Sequence, residues 1–353
     1  MPAPTAASVG DITTLDRTMR ADDAQVHDTL CLLQAPSGVT RVADMMTAAG
    51  LRTERGSGFN PVEVRGVVDR LLASGHATRD TQGRVRAAAP HASARFRALM
   101  LDAPSASRWF DAWRKLVNFE QAYSLGFQEE EQLTAALRLV IFGGRALKPL
   151  LRIGELAYSF THLWAGALRM AVLKPFDAEL FEQLEPALQA ELAERLTIAL
   201  SGFAESALKP LEDWLLARWA SAPATLSATL RCRLAETLLF RGDLAGARAL
   251  CATLRGGGVE LMKAALMIAE GEWEAGATQF EAAWKLTATE VGRRKNLASP
   301  SIVWLYLMAL LAQPAPAAWS KARKFAAGEA GKTDAFGFWQ VWINAIEDRK
   351  SVV

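Results

Sequence analysis

Residues 60–87 read NPVEVRGVVDRLLASGHATRDTQGRVRA, and the spacing of the apolar positions changes part-way along. Val64, Val67, Val68, Leu71 and Leu72 step by one, three and four, which sets them on one face of a helix. Asn60 offers a side-chain oxygen to the first free N–H groups, Pro61 suits the first helical position, and Gly75 stops the run. From His76 the pattern is different. His76–Arg79 and Arg84–Ala87 read as two short strands around the turn Asp80-Thr81-Gln82-Gly83.

Upstream, a helix beginning at Asp23 carries Val26, Leu30 and Leu33 inward and stops at Pro36-Ser37-Gly38. A second helix buries Val39, Val42, Ala43 and Met46 and ends at Gly50, before a Gly- and Arg-containing loop over 52–60. Three helices followed by a hairpin is the order of a winged helix-turn-helix, expected here over residues 23–90. The third helix would be the recognition helix and the hairpin the wing. Residues 1–22 read as a flexible leader.

Downstream of residue 95 the pattern predicts helices only, so the chain is mainly α. An irregular helical bundle is expected over 95–230. Trp109, Trp113, Leu116 and Phe119 fall on one helical face, Glu129-Glu130-Glu131 suit a helix N-terminus, and Gly143-Gly144 read as an inter-helix turn. Pro149, Pro175, Pro186 and Pro210 punctuate further helices.

A repeat appears when Gly242-Asp243-Leu244 is set over Gly271-Glu272-Trp273. Leu244, Ala247, Cys251 and Leu254 then align with Trp273, Gly276, Phe280 and Ala283, and each series is preceded by a second apolar helix: Leu230, Leu234, Leu238 and Leu261, Ala265, Ile268. A small residue five positions after each turn glycine lets paired helices approach closely. This resembles the tetratricopeptide pattern, with a repeat shorter than the usual length of about 34 residues. Residues 231–350 are therefore expected to form a degenerate TPR-like solenoid, with helices near 300–312, 317–328 and 334–348 extending it.

Charge is unevenly distributed. Residues 41–108 hold eleven arginines, no lysine and six acids, whereas the chain as a whole has a net charge of only +2. Arg65 and Arg70 lie on the third helix, Arg79, Arg84 and Arg86 on or beside the hairpin, and Arg95 and Arg97 just after it. A guanidinium can grip a phosphate through two hydrogen bonds and read a guanine edge, so these seven are the candidate duplex-DNA contacts. Arg293-Arg294-Lys295 is a smaller basic cluster that could serve as an auxiliary contact or a solvated loop. Glu63 and Asp69 on the third helix weigh the other way, towards protein docking.

Other chemistries lack their parts. Gly331-Lys332-Thr333 resembles the end of a phosphate loop, but Ala326 stands where its first glycine belongs and no strand precedes it. Gly256-Gly257-Gly258 also follows no strand and reads as a turn. His27, His76, His91 and His162 have no ligand spacing, so no metal or cofactor is expected. Glu270 with Glu272, and Glu212 with Asp213, are acid pairs of the kind that helix surfaces carry. Cys31, Cys232 and Cys251 form no Cys-x-x-Cys motif and read as buried thiols in a reducing compartment. The leader lacks a basic-then-apolar signal, and the apolar run Ile302–Ala312 is too short to span a bilayer, which points to a cytoplasmic protein without a membrane partner.

The C-terminal third carries a resemblance. Glu270-Gly271-Glu272-Trp273, Phe280, Trp284, Arg293-Arg294-Lys295, the apolar helix Ile302–Leu311, Gln313-Pro314 and Lys321-Ala322-Arg323-Lys324 together resemble the region ahead of the motor in bacterial SWI/SNF-type helicase-like ATPases. The likeness covers roughly residues 230–350. It implies an accessory region of a DNA-dependent motor, with the ATPase motifs lying outside this sequence: the chain is either the N-terminal part of a longer protein or a stand-alone relative. The reading is a non-catalytic, DNA-associated regulatory or targeting module whose helical body docks a partner or a motor domain. The alternative is a protein–protein scaffold or TPR-type adaptor whose winged helix docks protein, with Trp109 and Trp113 or Trp339 and Trp342 as exposed anchors.

Overall fold

The computed structural model describes residues 19–89, 91–127, 129–157, 161–199, 207–221, 226–292 and 298–330, with isolated positions at 341, 344 and 348. The leader up to residue 18, Arg293-Arg294-Lys295, Gly331-Lys332-Thr333, Trp339 and Trp342 lie outside the described residues. The protein is mainly α, with a single two-stranded sheet among the described residues. The chain divides into two compact units, residues 1–192 and 193–353, and the bundle expected over 95–230 spans that division.

The first unit opens with α1 (Ala21–Leu33), α2 (Val39–Ala48), α3 (Pro61–Ala73), β1 (Ala77–Arg79) and β2 (Val85–Ala87). Asn60 caps α3 as its sequence predicts: its side chain accepts from Val62 and Glu63 N–H at 2.9 and 3.0 Å, and Glu63 accepts from the Asn60 N–H in return. β1 and β2 pair antiparallel with Ala77 opposite Ala87 and Arg79 opposite Val85. Gly83 takes φ +77° in the turn, a conformation that favours glycine. Ser37, between α1 and α2, exchanges both backbone hydrogen bonds with Val85 at 2.9 Å. The hairpin is thereby stitched back onto the start of the unit. One core joins all these elements: Val26, Leu30, Val42, Met46, Val64, Val68, Leu71, Ala77 and Val85 are buried together.

The unit continues with α4 (His91–Leu101), α5 (Ala103–Leu116), α6 (Glu130–Arg138) running into a π-helical turn at Leu139–Gly143, α7 (Leu147–Leu156), α8 (Thr161–Leu173) and α9 (Ala178–Glu182), and the division between the units falls within α10 (Pro186–Ala199). Trp109 and Trp113 are buried, which rules them out as exposed anchors. Trp113 instead stacks on Phe110 and packs against Phe119, with ring centroids 6.4 and 5.4 Å apart. Gly143 closes the π-helical turn directly on α5, where a Cβ would lie 3.0 Å from Phe110 Cβ and 3.2 Å from the Ala106 carbonyl. Close packing therefore needs glycine there, beyond any role in turning the chain. Arg138 is a half-buried cation that faces carbonyls. It donates to Met170, Ala171 and Lys174 O at 2.9, 3.4 and 2.7 Å, and to the side chain of Gln34. It thus satisfies the free carbonyls at the end of α8, and burial lowers its pKa to about 10.

The second unit contains α11 (Lys209–Ser221), α12 (Ala228–Phe240), α13 (Leu244–Cys251), α14 (Gly257–Ala269), α15 (Trp273–Val291), α16 (Pro300–Ala312) and α17 (Pro316–Ala330). Consecutive helices pack as α12 with α13, α14 with α15 and α16 with α17. Gly242 and Gly271, at φ +84° and +91°, turn the first two pairs. A Cβ on Gly276 would lie 2.6 Å from Ile268 Cγ1 and 3.1 Å from the Ala264 carbonyl, so α14 and α15 touch through backbone there. Phe280 stacks on Tyr306 at 4.2 Å, with Phe325 edge-on. Buried Glu236 accepts from the hydroxyls of Ser299 and Ser301 and pairs with Arg233 at 3.0 Å, which ties α12 to the start of α16.

Because no side chain fits at residue 276, Gly276→Val is expected to cost about 2–3 kcal/mol of unfolding free energy, from overpacking. Gly258→Ala, where a Cβ meets nothing within 4 Å, should be neutral or slightly stabilising. Urea unfolding monitored by circular dichroism checks both. Equal effects of the two substitutions would contradict the close approach.

Candidate functional site

Five of the seven candidate arginines of the first unit are already hydrogen-bonded to carboxylates. Arg70, near the end of α3, donates its Nε to both oxygens of Asp23 on α1 at 3.2 Å and a terminal N–H at 2.5 Å. Arg79 on β1 reaches Asp69 on α3 at 3.1 Å. Arg84 holds Asp80 across the hairpin turn at 2.7 Å and Glu129 at 3.3 Å. Arg95 on α4 grips Asp28 on α1 with two hydrogen bonds, at 2.6 and 2.9 Å. Arg97 pairs with Asp177 and Glu179 around the start of α9. These hydrogen bonds to carboxylates hold Arg70, Arg84 and Arg97 above their ordinary pKa, with Asp23, Asp80 and Asp177 respectively the chief cause.

Arg65 on α3 and Arg86 on β2 are exposed and form no ion pair among the described residues. Arg41, Arg52 and Arg55 are likewise exposed and unpaired there. These three stand on α2 and the loop after it, outside the third helix and the hairpin to which the sequence pattern points. Basic charge without a carboxylate thus spreads over α2, its loop, α3 and β2.

An exposed ion pair contributes only about 0–1 kcal/mol to stability. Its effect on a polyanion is larger, since each bound carboxylate cancels the guanidinium's field and faces any approaching phosphate itself. Five guanidiniums meet seven carboxylates: Asp23, Asp28, Asp69, Asp80, Glu129, Asp177 and Glu179.

The remaining candidates serve structure. His27 is buried, 5.9 Å edge-on from His76 and beside Cys31, whose thiol burial pushes up. Glu212 is buried against Arg241, and burial raises its carboxyl above the ordinary range despite that partner. Glu270 pairs with Arg248. Gly256 opens α14, and the Gly257 N–H donates to Glu290 at 2.8 Å, so the glycine run forms a helix start capped from within the chain. Among the described residues no cluster of histidine, cysteine and acid could hold a metal, and no helix is long and apolar enough to cross a membrane. Within the second unit a cavity of about 280 Å³ is lined by Cys232, Arg233, Glu236, Arg255 and Glu290, among others.

No protein-family model, curated protein or solved structure matches this chain.

The hairpin turn makes a pH-dependent prediction. Partial burial would raise the Asp80 carboxyl, but hydrogen bonds from the Arg84 side chain and from the Arg84 and Gln82 N–H groups prevail and hold it below its usual 3.8. A lowered acid adds stability that is complete above the unfolded value and is lost as pH falls through the folded one. Hairpin resonances followed by NMR should therefore titrate with a midpoint below 3.8, and Asp80→Asn should abolish that transition. A midpoint at or above the ordinary carboxylate value would contradict the hydrogen-bonded turn.

Proposed function

We propose that the chain is a non-catalytic protein-interaction scaffold, with a winged helix-turn-helix over residues 23–90 as one docking unit and TPR-like helix pairs over 231–350 as another. The observation that carries this reading is the pairing of Arg70, Arg79, Arg84, Arg95 and Arg97 with carboxylates. A duplex reader keeps such groups open for phosphate, and here their charge is already matched. The winged-helix assignment is supported by the three helices, the hairpin and the Ser37–Val85 bridge, which occupies the place of the short strand ahead of the second helix in that fold. The scaffold reading of the second unit is supported by its successive helix pairs, in one of which α14 and α15 approach through Gly276. The resemblance of residues 230–350 to the region ahead of SWI/SNF-type motors makes such a motor, in the same chain or as a separate subunit, the first partner to test.

A DNA-associated module is the second reading, favoured by exposed, unpaired Arg65 and Arg86. Fluorescence anisotropy with a labelled duplex at two salt concentrations separates the two readings. The scaffold predicts no saturable binding even at low salt. Binding that falls steeply with salt, by a log–log slope of about −2 or steeper, and that is lost in the Arg65→Ala/Arg86→Ala double variant would replace it with the DNA reading.

A further inference from the structure

We propose that a groove between α15 and α17 binds an acidic peptide segment of a partner protein, seating one large apolar side chain among aromatic rings and pairing the carboxylates beside it with Lys285 and Lys324. This rests on the scaffold reading and names the chemistry of the partner for the second unit. The lining residues fall on one face of each helix: Phe280, Glu281, Trp284 and Lys285 on α15, and Lys321, Lys324, Phe325 and Gly328 on α17. The cavity holds about 330 Å³, at the small end of ligand pockets, which suits one bulky side chain.

Aromatic rings form the apolar wall. Phe280 is buried and stacks on Tyr306 of α16 at 4.2 Å and on Trp284 at 5.6 Å. Phe325 meets Trp284 and Tyr306 edge-on, at 5.2 and 5.1 Å. Trp284 and Phe325 are half-buried, so part of each ring is left for a ligand. The charge around them is unbalanced. Glu281 accepts from Lys321 Nζ at 2.8 and 3.0 Å and from the Tyr306 hydroxyl at 3.1 Å. Lys285 and Lys324 are exposed and form no ion pair among the described residues. Gly328 adds a third observation. Glycine is a poor helix former, yet a Cβ at this position would meet nothing within 4 Å, so no packing contact requires it. It keeps the α17 wall of the groove low. An apolar recess beside two uncompensated ammonium groups complements an apolar side chain flanked by carboxylates. A nucleic-acid strand fits less well, because it needs open ring faces and a track of cations. Here Trp284 already stacks on Phe280, and the Glu281 carboxylate stands among the lysines.

To test the proposal, a random peptide library displayed on phage is selected against the full chain, and the enriched peptide is measured by fluorescence anisotropy. The enriched sequences are expected to carry a tryptophan, phenylalanine or leucine flanked by aspartate or glutamate. Gly328→Leu fills the groove from a position where a side chain meets no neighbour, and it should weaken the peptide about tenfold or more, as should the Lys285→Glu/Lys324→Glu double variant. With benzoylphenylalanine in place of the apolar anchor, photocross-links to the wild-type chain should fall within residues 280–285 or 321–328, a readout that needs no variant. Selection without an acidic–apolar consensus, cross-links elsewhere, or unchanged affinity in folded Gly328→Leu overturns the proposal. Oligothymidine that binds the chain and displaces the peptide from these residues replaces it with a nucleic-acid site. Peptides that bind but cross-link elsewhere sink this groove and leave the scaffold reading standing, whereas duplex binding through Arg65 and Arg86 sinks that reading by a separate measurement.

Discussion

The first unit is organised by guanidinium–carboxylate pairing between segments far apart in the chain. Arg95 reaches back to Asp28, Arg70 to Asp23, Arg84 forward to Glu129, and Arg97 forward to Asp177 and Glu179. Each pair ties the three-helix-and-hairpin segment, or the helix following it, to another element of the unit. Individually the exposed pairs are weak, of the order of 1 kcal/mol. Arg95 and Asp28 are more enclosed and bidentate, the geometry in which such a pair is strongest. Together their main effect is on the field: the five paired arginines lose much of their reach towards a polyanion, while Arg41, Arg52, Arg55, Arg65 and Arg86 keep theirs.

Local rules made much of the secondary structure legible. The Asn60-Pro61 cap, the apolar face of α3, the Asp80–Gly83 turn and the glycine turns at 242 and 271 rest on interactions within a few residues, and the structure has them in those places. The close approach at Gly276 was also readable, because a small residue at a fixed distance from a turn falls on the contact face of a helix pair. Side-chain partners were not readable. The interval from Arg95 to Asp28 carries no periodic signal, and nothing in the spacing of Trp109 and Trp113 distinguishes a buried aromatic cluster from an exposed pair of anchors.

The second unit depends on backbone proximity and buried polar bonds more than on surface charge. Gly257 lies against Thr287, and Gly276 against Ile268. Glu236 has its charge satisfied by two serine hydroxyls and Arg233, so a buried carboxylate fixes how α16 begins.

The central claim is that Arg70, Arg79, Arg84, Arg95 and Arg97 are engaged by carboxylates within the free protein. The exchange of arginine Nε–H protons with water, measured by NMR on nitrogen-15-labelled protein near neutral pH, addresses it most directly. Arg84, Arg95 and Arg97, which donate Nε–H to carboxylates, are expected to show resolved, slowly exchanging resonances that do not move when duplex is added, while Arg65 and Arg86 exchange rapidly. Rapid exchange at all five, or shifts at Arg84 and Arg95 on adding duplex, would contradict the claim.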